Sequence, residues 1–501
     1  MSKRKEIIGQ AGIYAFSAHL TQVITLIASV LSRRFLGPTK MGIWTTLQII
    51  VDYSKYSSMG VLYGVAIQIP YLVGKGKKEK AEGIKNMVFT IVLGGSFLIG
   101  SGIFLFALFT KRRFPPELTY GLFLVSAIVV LQRLNDLMIA LLRCYKKFTL
   151  ASSQMIWSAV ANAILVAGLS YFFKIYGFVW AVGLSFVFNI LYIHRHHPFH
   201  FRLHWQTEEA RALIGFGFPL MIIGVMTTVI RSIDKIMIGK CLGFEALGLY
   251  SIALMVSTYL QTFFNSIAIV MLPHLQEKFS LQDDPRDLKG FLSQVSQAYA
   301  LGMPVVIGIA WIAAPYFIAL LLPKFIPGIA PMKNLIVGMY FLALAQPYCD
   351  FLITIKRYLS LFPLMGISAL AACLLDLWAI RSGFGIAGVA FATSFGSLLY
   401  FSVIYFFASR YFTQPLAALQ KYLTYLAGAA YLLLALFLVN RWLPSNFHSL
   451  PRTILQLAVF LVFYAPFLWI LSRQLALVPL LREKWAFKKI PAVSSLNIEE
   501  T

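Results

Sequence analysis

A chain of 501 residues that is 59% hydrophobic and only 12% charged has about half the charge density a soluble protein uses to cover its surface. Its formal net charge of +24 invites a nucleic-acid reading, but the bases are strung between apolar runs rather than gathered into one basic face, which excludes it. The apolar runs recur at about 20 residues or more, the length that crosses a bilayer core, so the surface of this protein faces lipid.

The opening residues, Met1-Ser-Lys-Arg-Lys-Glu, are basic, and the apolar run from Ile7 to Ser32 is too long for a signal-peptide core and lacks a small-x-small cleavage site. It reads as a retained first span. The others are predicted at 42–73, 84–110, 117–142, 149–172, 175–194, 211–232, 245–272, 291–322, 332–355, 358–380, 384–408, 418–440 and 453–472. The fold class is therefore all-α, a polytopic membrane protein of about fourteen helices. Lys and Arg number 26 at the termini and even-numbered gaps against 15 at the odd-numbered ones, with Lys55 and Arg133 inside helices. That bias puts both termini in the cytoplasm of a multi-pass protein of the cell (inner) membrane, and Lys75-Gly-Lys-Lys-Glu-Lys is its strongest marker.

Four scattered cysteines imply neither disulfides nor a thiolate metal site. The histidine cluster His194-Arg-His-His-Pro-Phe-His200, with His204, falls between the sixth and seventh spans. Pro198 breaks any helical ligand spacing there, so a solvated loop is expected, without metal or cofactor.

The sequence contains a repeat at an offset of about 206. Phe35-Leu-Gly-Pro-Thr-Lys-Met-Gly-Ile-Trp44 lies over Cys241-Leu-Gly-Phe-Glu-Ala-Leu-Gly-Leu-Tyr250, with Leu36/Leu242, Gly37/Gly243 and Gly42/Gly248 identical. Ala66-Ile-Gln-Ile-Pro70 resembles the stretch Ala268 to Pro273, and Tyr176-Gly-Phe resembles Phe384-Gly-Ile. The implied units are a six-helix bundle over 1–205, a second over 206–410, a helix pair over 411–475 and a cytoplasmic tail over 476–501. Six is even, so the two bundles are a parallel repeat about an axis along the membrane normal.

Charges inside spans are costly, so they mark candidate sites. Asp52/Lys55, Arg133/Asp136 and Arg231/Asp234 each stand three residues apart on one helical face. The plain alternative is a self-neutralising structural pair, preferred for Arg133/Asp136. His19, Gln22 and Thr25 follow one face of the first span toward Arg33 and Arg34, and Gln261 and Asn265 share a face of the eighth. Ordinary partners for His19 and interfacial anchoring for the two arginines are the alternatives there. Prolines fall at 219, 304, 347, 363 and 466, and the stretch Gly215, Gly217, Pro219 is the candidate hinge.

Arg34-Phe-Leu-Gly-Pro-Thr-Lys-Met-Gly-Ile-Trp44, with Asp234-Lys-Ile-Met-Ile-Gly239 before Leu242-Gly and Gly248-Leu-Tyr250, resembles the polysaccharide-export branch, including O-antigen flippases, of the multidrug/oligosaccharidyl-lipid/polysaccharide flippase superfamily. The resemblance spans about 1–410. Two departures are a second span without the late basic residue of many relatives, at Ile67-Gln-Ile-Pro70, and the added helix pair, which resembles fourteen-helix members such as lipid II flippases. By resemblance, the first, second, seventh and eighth spans line a central cleft, and the protein flips polyprenyl-diphosphate-linked saccharide units from inner to outer leaflet by alternating access. Membrane lipids and glycan-assembly proteins would be its other partners.

The expected substrate-binding set is Arg33, Arg34, Lys55, Arg231, Lys235, His19, Gln22, Gln261 and Asn265, with Asp52 and Asp234 for ion coupling or charge pairing. Arginine suits phosphate through its forked donors. No Walker motif is present, so ion gradients or the membrane potential would drive transport. The rivals are a lipid II-type precursor flippase, a drug or cation antiporter using Asp52, Asp234, Asp350 and Asp376, and a membrane glycan polymerase. The short, basic external gaps, such as Lys111-Arg-Arg-Phe-Pro-Pro116, and the lack of a paired catalytic constellation argue against an enzyme.

Overall fold

A computed structural model of the chain describes residues 3–282, 284–444 and 449–474; the tail expected over 476–501 lies outside the described residues. The elements described are helical: α1 (Lys3–Ser54), α2 (Val61–Gly74), α3 (Lys78–Thr110), α4 (Pro116–Cys144), α5 (Phe148–His196), α6 (Thr207–Ile230), α7 (Ile233–Cys241), α8 (Gly243–Gln282), α9 (Lys289–Leu321), α10 (Ile329–Thr354), α11 (Leu361–Arg381), α12 (Gly385–Ser409), α13 (Pro415–Trp442) and α14 (Leu450–Gln474), with short 3-10 turns between some of them. Helices suit lipid because every backbone hydrogen bond closes within the segment. Eleven are long and apolar enough to cross a membrane, or twelve if the bent pair Phe16–Ser58 and Val61–Gly74 counts as one span.

Two helices are too long for a single crossing. At 52 and 49 residues, α1 and α5 would each run about 75 Å if straight, against a hydrocarbon core of roughly 30 Å. Each is two helices joined at one non-helical residue, Gly37 (φ 74°, ψ 174°) in α1 and Lys174 (φ 54°, ψ −127°) in α5. Glycine takes that conformation without penalty, whereas Lys174 holds its β-carbon in the disfavoured left-handed region.

Two predicted spans are broken where no proline stands. The span expected over 42–73 leaves α1 at Ser54, passes through a 3-10 turn, Lys55–Ser58, and the left-handed pair Met59 and Gly60, then resumes as α2 at 47°. The span expected over 211–232 instead ends at Ile230, and after two residues α7 carries the helix on to Cys241. The expected gap over 233–244 is thus mostly helix; the charges of Asp234, Lys235 and Lys240 lower its hydropathy without ending it. Pro363 sits in the first turn of α11, where a missing N–H costs nothing, rather than in a helix interior.

α1 lies against α5 and α8, and α10 lies against α8, α9 and α12. One core gathers Val61, Met87, Leu137, Leu141, Ile193 and Leu213. A larger one contains an aromatic mass in which Phe401 and Tyr405 each pack within 6.5 Å of both Tyr348 and Tyr425, joining α13 to α10 and α12. α14 packs on α9, where Phe460 covers Gly308 so closely that a β-carbon there would meet its ring at 1.9 Å.

The segment 197–206 is less free than a solvated loop. The backbone N–H groups of Arg202 and His204 donate to Asn86 Oδ1 (3.2 Å) and Thr90 Oγ1 (3.0 Å) on α3. Phe201 stacks on Phe89 at 4.6 Å, and Phe199 is buried. Burial, and then the nearby Lys147, hold the His197 imidazole below its ordinary range, while His194, His196, His200 and His204 stay exposed. Alternating aromatics pin the strap; its charged residues point away.

Candidate functional site

A cavity of about 660 Å³ opens between helices from both halves of the chain, walled by α1, α5 to α8 and α10 to α12. Its size falls within the roughly 300–1,000 Å³ of small-molecule sites. Arg33, Lys55, Arg231 and Lys235 line it, against the two acids Asp52 and Asp234. None of the four cations forms an ion pair among the described residues.

Each element brings its charge in for a local reason. Arg33 lies one turn before Gly37 and is 6% exposed. Its Nη1 donates to Ser29 O (3.0 Å) and Oγ (2.5 Å), and Nη2 reaches Ser251 O on α8 at 3.1 Å. Asp234 is buried in the first turn of α7, where the helix end favours an anion. It accepts from Tyr250 Oη and from the Lys235 N–H, both at 2.7 Å, so neutral donors already satisfy it. A neighbouring link runs from Thr393 Oγ1 to Asp376 Oδ1 at 3.3 Å.

The three-residue spacings behave differently. Arg133 Nη2 stands 3.0 Å from Asp136 Oδ2, and neither residue lines the cavity. Arg231 sits in the break between α6 and α7, so the helical register that would face it toward Asp234 is lost. Lys55 lies in the 3-10 turn with its ammonium 5.0 Å from the Tyr56 ring centre.

Of the expected residues, Arg33, Lys55, Arg231, Lys235, Gln261, Asp52 and Asp234 share the cavity wall. Arg34 is exposed, about 100° around the helix from Arg33. The cavity reaches Thr25 on α1, and His19 and Gln22 lie farther along, His19 by about 9 Å. Asn265 is one turn past Gln261. Sequence reasoning did not pick out Gln48, Asn162, Tyr259 or Tyr400, which line the wall. Being uncharged, they mark a span less sharply than a full charge does, although Gln48 shares a helical face with Asp52 four residues on.

Backbone contacts bound the cavity at both ends. At the turn end, where Gly37 and Gly243 reverse the chain, a β-carbon on Gly42 would meet Phe244 O at 1.7 Å and one on Gly248 would meet Pro38 O at 1.8 Å. Positions 38 and 244, and 42 and 248, are equivalent in the sequence repeat, so the contact is reciprocal. At the loop end, β-carbons on Gly60 and Gly217 would each strike the other's carbonyl oxygen, at 2.3 and 2.2 Å. Tyr56 Oη pairs with Thr228 Oγ1 at 2.6 Å, and Tyr53 Oη with Ser232 Oγ at 2.7 Å. α6 runs unbroken through Gly215, Gly217 and Pro219.

Known structures share this architecture. A lipid II flippase MurJ in an inward closed conformation superposes with a TM-score of 0.66 at 16% identity, covering 92% of this chain and 99% of that one. An inward-facing multidrug resistance MATE family transporter gives 0.65 at 13%, covering 82% and 95%. The Vibrio cholerae MATE transporter VcmN, in a mutant form, gives 0.58 at 13%, covering 81% and 96%. At such identities the likeness concerns the fold. No curated protein matches by sequence at a significant level. The family described as "Polysaccharide biosynthesis protein" matches residues 30–325, and the chain belongs to that family.

Proposed function

We propose that this protein flips polyprenyl-diphosphate-linked saccharide units from the inner to the outer leaflet of the cell membrane by alternating access. One observation carries the reading: four cations without ion pairs line one cavity, while one of its two acids is already satisfied by neutral donors. Charge-assisted bonds from arginine and lysine suit a diphosphate, and Gln48, Asn162 and Gln261 offer amides to sugar hydroxyls. The polyprenyl tail stays in lipid. Arg34, His19, Gln22 and Asn265 act at the margins of that site, and Asp52 and Asp234 serve charge pairing or ion coupling.

The working units are bundles 1–205 and 206–410 with the pair 411–475 beside the second, making fourteen spans with both termini in the cytoplasm. The reciprocal contact of Pro38/Gly42 with Phe244/Gly248 supports a parallel repeat, since a two-fold axis makes such contacts. Two charges moving outward from a negative interior gain about 4–5 kcal/mol per 100 mV, enough to drive the step. The protein is a transporter, with lipids and glycan-assembly enzymes around it.

A second reading, flipping of a lipid II-type precursor, is favoured by the coverage of the MurJ match, 92% of this chain against 82% for the MATE transporter. A drug or cation antiporter fits less well, because a cavity rich in bases repels cations; ethidium efflux from intact cells would revive it. Mass spectrometry of lipid-linked saccharides in a strain lacking the protein separates the first two. Accumulation of a polyprenyl-diphosphate oligosaccharide on the inner leaflet is expected. Accumulation of a peptide-bearing precursor would transfer the cargo to the second reading, and no accumulation would remove both.

A further inference from the structure

Arg231 belongs to two cavities. Behind the large one lies a second, of about 130 Å³, and Arg231 and Tyr400 line both. Arg231 is the base on that smaller wall and Asp350 the acid. Asp350 is 4% exposed on α10; its Oδ1 accepts from Gln346 Nε2 at 2.9 Å, and its Oδ2 has no hydrogen-bond partner. Neither Arg231 nor Asp350 enters an ion pair among the described residues. Arg231 is the C-terminal cap of α6, its N–H donating to Thr227 O at 3.2 Å, so any swing between the two cavities is a rotation of its long side chain.

Arg231 is exposed to the cavity, and a guanidinium there gains charge-assisted hydrogen bonds from any anion that meets it with good geometry. Two such anions compete for Arg231: a phosphate in the large cavity and the Asp350 carboxylate in the small one. The geometry points to Asp350 as the residue that takes Arg231 back when the phosphate leaves. It is a positioning residue for release, acting on the ligand through Arg231 without touching it. With phosphate present, Arg231 faces the large cavity; as phosphate departs, the side chain turns past Tyr400 and pairs with Oδ2. A ligand shifts a two-state group only by its preference for one state, so an internal rival anion lowers phosphate affinity and speeds release. This inference rests on the reading of the large cavity as a phosphate site.

The test is calorimetric titration of the purified full-length protein in lipid nanodiscs with inorganic pyrophosphate. Asp350→Asn removes the rival and tightens binding about tenfold, the worth of one charge-assisted hydrogen bond. Gln346→Leu frees Oδ1 as a second acceptor for Arg231 and weakens binding. Arg231→Gln weakens binding, and adding Asp350→Asn to it changes nothing further. If Arg231→Gln weakens binding while the Asp350 and Gln346 variants leave it unchanged or shift it in one direction, the release role is overturned and the phosphate cavity stands. If Arg231→Gln binds pyrophosphate as the parent does, the phosphate reading of the cavity falls, and the release role with it. Should Asp350→Asn fail to fold, the sign of the Gln346→Leu effect decides alone.

Discussion

The two junctions that bound the cavity differ in kind. At the turn end, two glycines from equivalent positions of a repeat press reciprocally on each other's neighbouring carbonyls, with Arg33 adding one hydrogen bond across to Ser251. At the loop end, the Gly60–Gly217 contact is joined by Tyr53–Ser232 and Tyr56–Thr228, and Gly64 faces Leu213. The first junction is nearly symmetric and continues into the broad packing of α1 on α8; the second is asymmetric and carries two side-chain hydrogen bonds. In the proposed alternating-access cycle the two ends are therefore held by different means. In that cycle the loop-end tyrosines would set how much of the population stays closed at their end.

Changes that prevent closure test this contrast most severely. Gly217→Leu would drive a side chain into the Gly60 carbonyl, and overpacking of this sort costs about 1–3 kcal/mol. It should prop the loop end open and raise thiol labelling of cysteines introduced beside Tyr56; unchanged labelling would remove the loop-end gate. Gly248→Val should act in the same way on the turn end, exposing sites near Thr45 from the other side of the membrane. If both variants expose the same side, the two junctions are not alternative gates.

Smaller changes sharpen the difference. Tyr56→Phe deletes one hydrogen bond, worth about 1 kcal/mol net, and should enrich the loop-end-open form about fivefold. Arg33→Gln should affect the turn end in the same sense. An equal effect of Tyr56→Phe on labelling at both ends would refute the assignment. The smallest expected effect concerns the strap. Because the folded protein holds the His197 imidazole below its ordinary value of 6.5, the unfolded form binds the extra proton more readily. That contribution is present above about 6.5 and lost as pH falls through the lowered value. Hydrogen exchange across 197–206, corrected for intrinsic rate, should rise as pH drops below that point. In a His197→Asn variant the part of that rise due to His197 should vanish.

Much of the site could be read from the residues because charge in an apolar helix is conspicuous. Lys55, Asp52, Arg231, Asp234 and Lys235 announce themselves by the desolvation they would suffer in lipid. Gly37, as the first turn, follows from the repeat and from glycine's freedom at positive φ. Other features left no such trace. Lys174 turns the chain without glycine, and the break at 231–232 occurs without glycine or proline, because the packing there outweighs local propensity; the break at 55–60 is marked only by Gly60 at φ 78°. Arg33 and Arg34 differ in fate only by the rotation of one residue around a helix. The strap over 197–206 reads as solvated loop because its histidines dominate the composition, while the anchoring falls to Phe199, Phe201, Asn86 and Thr90. Tyr53, Tyr56 and Thr228 are common residues whose value is their pairing across the cavity floor, which spacing along one chain does not reveal.

Flipping of a fluorescent polyprenyl-diphosphate saccharide in vesicles carrying the purified protein tests the central claim, that a phosphate headgroup passes through this cationic cavity. The variant combining Lys55→Gln, Arg231→Gln and Lys235→Gln should be folded, as judged by its elution and melting, and should flip the lipid at least about tenfold more slowly than the parent, each charge-assisted bond being worth a factor of that order. A folded triple variant that flips at the parent rate would contradict the account.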